Sequence, residues 1–282
     1  MIKQGEAAAL ISRARAEGWA VGQFNMSNLE TLQAIAAAAA AKLAPVMIGI
    51  TMGTIRHAGL DYIAAMARVA KAASPVPLLL HLDHGPDLAT IAACIERGWD
   101  SVMIDASSLP YKENVPLVRE VVAMAHPLGV AVEAQIGQTW EEEGGGRTEV
   151  LTEPEEARAF VQATGVDYIA VSIGNTPGQA AGGAPVDLPL LGTIAAAAGV
   201  PIVMHGGTSV PDATMREAIT LGVAKVNIDT AIRLAVTEAL TTYYRADAAG
   251  PDPRVSLKQA REMAQLAIEK KIDLFGAAGK AA

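Results

Sequence analysis

The stretch His81-Leu82-Asp83-His84-Gly85 ends an apolar run, 76–80, and places two histidines and an aspartate where a buried strand stops. Alternation along an extended chain sends His81 and Asp83 to one side and His84 to the other. The geometry is looser at a strand end, and Gly85 permits a sharp exit. The cluster therefore offers an acid/base carboxylate beside a metal ligand. The simpler interpretation is a strand end whose polar groups cap the following helix.

Similar apolar runs rich in Val and Ile alternate with amphipathic, alanine-rich segments along the whole chain. Each apolar run predicts a strand and each amphipathic segment a helix. A leading helix is predicted over 7–17 and a final helix over 256–275. The predicted strands are 19–25, 45–50, 76–82, 100–104, 129–136, 166–173, 200–204 and 224–228.

Eight strand–helix units without a linker predict parallel strands joined by right-handed crossovers. A closed (β/α)8 TIM barrel fits this even repeat better than an open sheet, and 282 residues is an ordinary length for one. No GxGxxG motif follows the first strand, which weakens the dinucleotide-binding alternative. We therefore expect a single α/β domain over 1–282, with an N-terminal leading helix and a C-terminal extra helix.

The charge balance and the cysteine content of the chain limit the kinds of partner and the compartment that fit it. Acidic residues exceed basic ones by 30 to 22, so the net charge of −8 argues against nucleic acid or an anionic membrane as partners. A phosphorylated substrate stays compatible, because a few local donors outweigh a weak global field. The single cysteine, Cys94, excludes an internal disulfide framework, and no signal peptide or membrane span is recognised. The prediction is a soluble cytoplasmic protein.

Polar residues follow the predicted strands at their carboxyl ends, where barrel enzymes place their active sites. These residues are Asn25, Thr51, Asp83, His84, Asp105, Glu133, Gln135, the loop from Gly174, His205, Gly206, Gly207, Asn227 and Asp229. Strand ends elsewhere on a barrel are usually apolar or turn-like. The coincidence indicates an active site.

Two histidines on different strands, His84 and His205, are placed to converge on one metal ion. Imidazole suits Zn²⁺, and a catalytic zinc usually has three protein ligands and an open position. His81 is either a third ligand or, more in keeping with its place, a structural group behind the ligands. His57 and His126 lie in helical segments and are interpreted as surface or helix-end residues.

Two loops at the last strands are suited to bind an anion. Residues 205–209 combine glycines, backbone N–H groups and hydroxyls before a helix. Residues 227–230 open the helix after the eighth strand, where Asp229 or Thr230 is a natural N-cap. In many barrels a phosphate lies between these two loops. The alternative is two tight turns with good caps.

Over nearly its whole length the chain resembles the class II, metal-dependent ketose-bisphosphate aldolases, which include fructose- and tagatose-bisphosphate aldolases. The matching stretches are 22–25, 81–85, 101–105, 132–134, 205–207 and 225–230. The motifs HLDHG, HGG and VNIDT, in this order and spacing, are very specific.

The resemblance implies a zinc ion held by three histidines, which polarises the ketose carbonyl and stabilises the enediolate left after cleavage. It implies that Asp83 handles the proton of the hydroxyl at the bond being cut. It also implies that Glu143, in an acidic and glycine-rich lid over 140–146, moves the proton at the dihydroxyacetone phosphate carbon. The residues expected to bind substrate or phosphate are Asn25, Thr51, Gly178, Gly206, Gly207, Thr208, Asn227, Asp229 and Thr230.

The metal site departs from the family pattern in two places. Pro177 stands where the family has its second metal histidine, and proline supplies neither a side-chain ligand nor an N–H donor. Gln135 stands in place of the second carboxylate of a Glu-x-Glu pair. The expected ligands are therefore His84 and His205, for Zn²⁺ or another divalent metal. Possible substitutes for the third ligand are Glu133, Asn175 and Gln179.

Three functions stay open from the sequence. The first is an aldolase that cleaves a ketose 1-phosphate or 1,6-bisphosphate to dihydroxyacetone phosphate and an aldehyde, as a homodimer or homotetramer. The second is a diverged enzyme with different or metal-free carbon–carbon bond chemistry. For Schiff-base formation Lys225 is a poor nucleophile, because it lies early on its strand. The third is a non-catalytic sugar-phosphate-binding or companion subunit.

Overall fold

A computed structural model describes residues 5–141, 147–174, 186–246 and 250–281, without the side chains of 138–141 and 147–149. Eight parallel strands close into a barrel in the order β1-β10-β9-β8-β5-β4-β3-β2. Their bounds are β1 Val21–Asn25, β2 Val46–Ile50, β3 Leu78–Gly85, β4 Ser101–Ile104, β5 Ala131–Ile136, β8 Tyr168–Val171, β9 Ile202–Met204 and β10 Val223–Ile228. The predicted TIM barrel is confirmed.

Helices surround the barrel and follow its strands. They are α1 Glu6–Glu17, α2 Leu29–Lys42, α3 Met52–Ala58, α4 Leu60–Ala73, α5 Leu88–Glu96, α6 Tyr111–Ala125, α7 Pro154–Thr164, α8 Leu188–Ala198, α9 Asp212–Thr220, α10 Thr230–Arg245 and α11 Pro253–Leu274. Several begin at a residue whose side chain caps the helix; the Asn28 side chain accepts from the N–H of Thr31, for example. Among the described residues, none of the helices is both long and apolar enough to cross a membrane.

The leading and final helices are both present, as predicted. Helix α1 contacts β1, β5 and β10, and it buries Ala7, Leu10, Ile11 and Ala14. Helix α11 packs against α2 and α10, and an ion pair of 2.6 Å joins Lys42 Nζ to Asp273 Oδ2. These contacts give the two added helices fixed places on the barrel.

The structure adds an antiparallel hairpin that the sequence analysis did not predict. Strands β6 Gln138–Glu141 and β7 Arg147–Val150 pair with each other after β5. Trp140 and Glu141, predicted to belong to a loop over 140–146, lie within β6. The role of this segment as a lid stays a prediction. Each of these two strands is only four residues long and mostly polar, so its sequence alone does not predict a strand.

The inside of the barrel is polar, whereas the outer faces of its strands are apolar. Ile48, Val132 and Ile169 are fully buried in the hydrophobic core. Strand positions that alternate with them carry buried polar side chains, among them Gln23, His81, Ser101, Glu133 and Lys225. Several of these side chains are hydrogen-bonded within the barrel: Gln23 donates to Asn25, His81 bonds Ser101, and Lys225 donates to Asn227.

Candidate active site

A β-bulge at the end of β3 places Asp83 and His84 in the same site. Pairing with β4 matches Leu82 to Val102 and then Gly85 to Ile104, so β3 contains one extra residue. His84 takes up the bulge with a left-handed φ of 53°. The simple alternation expected from sequence would have separated the two side chains. With the bulge, His84 Nε2 lies 3.9 Å from Asp83 Oδ1.

His84 and His205, from β3 and the end of β9, meet across the barrel mouth as predicted. Nδ1 of His205 lies 3.1 Å from Nε2 of His84, and the two rings are nearly perpendicular. The other nitrogen of each ring is within hydrogen-bond distance of a carboxylate oxygen. Asp105 Oδ2 lies 2.6 Å from His84 Nδ1, and Glu133 Oε1 lies 2.8 Å from His205 Nε2.

This arrangement calls for a positive charge between the two rings. An ionised carboxylate only accepts hydrogen bonds, so Nδ1 of His84 and Nε2 of His205 carry the ring protons. The two facing nitrogens then direct lone pairs at each other, and a bound proton or a metal cation removes that repulsion. Two nitrogens bound to a tetrahedral zinc lie about 3.3 Å apart, close to the 3.1 Å separation here.

Ligand atoms of Asp83, His84 and His205 all lie within 4.8 Å of one another, so these residues fit a metal ion. Histidines that bind metal usually donate their other N–H to a carboxylate, and both do so here. Nearby carboxylates also favour a cation at His84: burial lowers the pKa of its imidazole, but Asp83 and Asp105 outweigh burial and raise the pKa to about 9.

Asp83 is buried and held by two amide groups. Asn227 Nδ2 donates to one carboxylate oxygen at 3.0 Å, and Asn25 Nδ2 donates to the other at 3.1 Å. Burial raises the pKa of Asp83, but the nearby His84 and His205 outweigh it and the net shift is downward. Asp83 is therefore an oriented, ionised carboxylate beside the metal position.

Gly49 makes room for this arrangement. A Cβ atom at Gly49 would lie 2.1 Å from Asn25 Oδ1 and 2.6 Å from Gln23 Nε2. Gln23 in turn donates to Asn25 Oδ1 at 2.9 Å, which directs the Asn25 amide nitrogen to Asp83. Any larger residue at position 49 would displace Asn25.

Glu133 lies behind His205. Its Oε1 bonds His205, and its Oε2 lies 2.8 Å from the buried ammonium of Lys225. Because both oxygens are engaged, this placement favours a supporting role for Glu133 over the direct metal ligation considered above. Lys225 is fully buried, in keeping with the expectation that it is a poor Schiff-base nucleophile.

His81 lies below the metal position, as the structural interpretation of the sequence proposed. Its Nδ1 bonds Ser101 Oγ at 2.8 Å, and Ser101 Oγ bonds the Tyr168 hydroxyl. Burial and the Lys225 charge lower the pKa of His81 to about 3, so its ring is neutral. His126 lies elsewhere, 2.9 Å from Asp167 Oδ2.

The two loops proposed for phosphate are present, but two details differ from expectation. The N–H of Gly207 is not exposed to a ligand, because it donates to the Asn227 carbonyl at 3.2 Å. Asp229 is the N-cap residue of α10, one of the two predicted alternatives, but its side chain makes no cap hydrogen bond and instead pairs with Arg233 at 2.8 Å. Thr208 Oγ1 accepts from the N–H of Ala231 instead.

Some of the remaining residues predicted to bind substrate or metal have a structural role, and others lie outside the described residues. Thr51 caps α3 by accepting from the N–H of Thr54. Gly206 has a left-handed φ of 65° at the start of its loop, and Thr230 is the first residue of α10. Glu143, Asn175, Pro177, Gly178 and Gln179 lie outside the described residues. Their expected roles stay predictions.

Sequence reasoning assigned no supporting role to Asp105 or Gly49. It considered Glu133 as a metal ligand and Lys225 as a nucleophile, and did not foresee that the two form a pair. Asp105 carried a signal, because it is a carboxylate at a strand end. Gly49 and Lys225 did not: a glycine or lysine inside an apolar run has no visible partner until the strands are placed side by side.

The chain is similar in sequence to known proteins. Residues 6–280 match the family described as fructose-bisphosphate aldolase class-II. The D-tagatose-1,6-bisphosphate aldolase subunit GatY of Klebsiella oxytoca is 36% identical over 275 residues, which is 96% of this chain and 97% of that protein.

Solved structures share the fold. The YdjI aldolase of Escherichia coli K12 superposes with a TM-score of 0.88 at 29% identity, over 99% of this chain and 100% of that one. The fructose-bisphosphate aldolase of Campylobacter jejuni superposes with a TM-score of 0.84 over 98% and 95% of the two chains. At 22% identity the latter supports the fold alone.

Proposed function

Since the chain belongs to the class II fructose-bisphosphate aldolase family, we propose that it is an aldehyde-lyase acting on a ketose 1-phosphate or 1,6-bisphosphate. Cleavage yields dihydroxyacetone phosphate and an aldehyde, and the reaction is reversible. The relative from Klebsiella oxytoca carries tagatose 1,6-bisphosphate in its name, so that sugar and fructose 1,6-bisphosphate are the first substrates to test.

One observation carries this proposal: two imidazole nitrogens face each other at 3.1 Å, each ring is backed by a carboxylate, and the oriented Asp83 lies beside them. A structural core histidine needs only one satisfied partner. Two converging histidines with carboxylates behind both are typical of a metal centre.

Family members use a divalent metal, and His84 and His205 are the residues that would hold it in this chain. We propose zinc, because imidazole ligands and the nitrogen separation suit it. When bound, the metal supplies a Lewis acid that polarises the ketose carbonyl and stabilises the charge that develops during cleavage.

Asp83 is proposed to transfer the proton of the substrate hydroxyl. Its carboxylate is ionised and is fixed by Asn25 and Asn227, so it is ready to accept the proton of the substrate hydroxyl at the bond being cut. In the reverse direction it returns that proton to the aldehyde oxygen. Glu143 is proposed for the second proton transfer on the basis of its place in the sequence.

The phosphate is proposed to lie between the loop at 206–208 and the start of α10, as in many barrels. With the N–H of Gly207 engaged, the remaining backbone N–H groups of this loop and the Thr208 hydroxyl are the candidates for contact. The homo-oligomeric state and the cytoplasmic location predicted from the sequence stay predictions.

Pro177 favours a second candidate, a companion subunit that binds sugar phosphate without cleaving it. Loss of a metal histidine at this position would weaken the metal site. The retained constellation of Asp83, His84 and His205 favours the enzyme.

A cleavage assay with a defined metal content distinguishes these candidates. The purified protein is stripped with a chelator, reloaded with one equivalent of zinc, and supplied with fructose or tagatose 1,6-bisphosphate or a ketose 1-phosphate. Release of dihydroxyacetone phosphate is followed by its enzymatic reduction. Zinc-dependent release supports the aldolase. Zinc binding without release from any of these substrates supports the companion subunit, and release that persists without metal supports a metal-free mechanism.

A further inference from the structure

Lys225 occupies an unusual position for a lysine, since its side chain is fully buried inside the barrel. A charged group is costly to bury unless it is paired and hydrogen-bonded. Its Nζ atom lies 2.8 Å from Glu133 Oε2 and donates to Asn227 Oδ1, also at 2.8 Å. The proposed chemistry uses none of these contacts directly.

The ion pair of Lys225 with Glu133 connects Lys225 to the metal ligand His205. Lys225 holds Glu133 Oε2, which leaves Glu133 Oε1 directed at Nε2 of His205. That hydrogen bond fixes the His205 tautomer, so the lone pair of Nδ1 points at the metal position.

The other contact leads to the proton-transfer carboxylate. An ammonium group only donates, so it selects the amide orientation in which Asn227 Oδ1 faces Lys225. The Nδ2 atom must then face Asp83, to which it donates at 3.0 Å. With the opposite orientation, Asn227 would direct an acceptor at an ionised carboxylate.

We propose that Lys225 is a positioning residue that orients both halves of the site: the metal ligand His205 through Glu133, and the acid/base Asp83 through Asn227. The inference rests on the proposed function and adds a shared support to it. It predicts that replacing the Glu133–Lys225 pair lowers the rate of cleavage, and that it weakens zinc binding where the acceptor for His205 is lost, although Lys225 touches neither metal nor substrate.

Two double variants avoid the isolated buried charge that a single substitution leaves. Glu133→Gln/Lys225→Met and Glu133→Leu/Lys225→Met both replace the ion pair with an uncharged pair of similar volume, which is often tolerated. Only the glutamine variant keeps an acceptor for His205. Tyr168→Phe is the matched control, because it removes a buried hydroxyl that bonds Ser101 rather than Glu133 or Asn227.

Zinc affinity is measured by competition with a chromophoric chelator, which needs no turnover. We expect the leucine variant to bind zinc about 10- to 100-fold more weakly than the parent. The glutamine variant should lose less than about tenfold, since its amide oxygen still accepts from His205. Tyr168→Phe should match the parent. A structural role alone would move the melting temperature of both double variants and leave their zinc affinities equal.

The Asp83 half is tested by kcat at saturating zinc and substrate. Both double variants should lose about 10- to 100-fold in kcat, because misplaced catalytic groups cost rates of that order. Parental zinc affinity in the leucine variant, or parental kcat in both, would overturn the inference and leave the proposed function standing. A parent protein that neither binds zinc nor cleaves a ketose phosphate would overturn both.

Discussion

Replacing Asp83 with alanine is expected to abolish carbon–carbon cleavage and to leave zinc binding in place. The carboxylate is the group nearest the metal position that is both ionised and fixed by two donors. A general acid/base group contributes about 10² to 10⁴ in rate, which corresponds to about 3 to 5 kcal/mol of activation free energy. We expect this loss in kcat.

The fold should survive the substitution because two terms oppose each other. The variant loses hydrogen bonds from Asn25 and Asn227 to a charged group, each contributing about 1.5 to 3 kcal/mol. It also no longer buries a carboxylate, which is a cost of similar order in the parent. A net change within about 2 kcal/mol shifts the melting temperature by less than about 8 °C.

Asp105→Asn is the matched comparison, because it alters the carboxylate behind His84 and leaves Asp83 intact. It should weaken zinc binding by about 10- to 100-fold and retain most of the cleavage rate once zinc is saturating. Steady-state kinetics with zinc titrations of both variants provide the assay. Parental turnover by the Asp83→Ala protein would refute the role of this carboxylate.

Three further predictions follow from particular contacts. Gly49→Ala should displace Asn25 and lower kcat with little change in zinc affinity, whereas Gly53→Ala, whose Cβ would meet nothing closer than Thr51 Oγ1 at 3.4 Å, should leave both unchanged. Asp167 raises the pKa of His126, so the stability that this pair contributes is fully present below about pH 6.5 and is lost as pH rises through the raised pKa. The free energy of unfolding of His126→Gln, measured with denaturant, should therefore differ from that of the parent at about pH 5.5 and converge on it at high pH. A difference that does not depend on pH would exclude this linkage. Pro177→His restores an imidazole at the family's metal position and should tighten zinc binding at least tenfold; unchanged affinity in a parent that already binds zinc tightly would mean that another residue supplies the third ligand.

The barrel could be predicted from sequence because the residues of each of its strands form a recognisable local pattern. Runs such as 46–50 and 78–82 are short, apolar and followed by an amphipathic helix, and eight such units leave few ways to close a sheet. The hairpin β6–β7 gave no such signal, because its strands are four residues long and depend on pairing with each other.

The site was predictable where its residues stand at strand ends, and not where a partner decides their role. His84, His205 and Asp83 were found by position and residue type. That Asp83 and His84 share a site depends on a bulge and a left-handed backbone at His84, which the alternation rule does not anticipate. Lys225 acquired a role only when Glu133, about ninety positions away in sequence, proved to be its neighbour in the barrel.

Anomalous X-ray scattering from zinc-loaded crystals would show directly whether His84 and His205 hold the metal. Data collected on both sides of the zinc absorption edge locate the ion without reference to activity. We expect one strong peak per chain, within about 2.1 Å of both His84 Nε2 and His205 Nδ1. A peak bound to other residues, or none at this position in crystals grown with excess zinc, would contradict it.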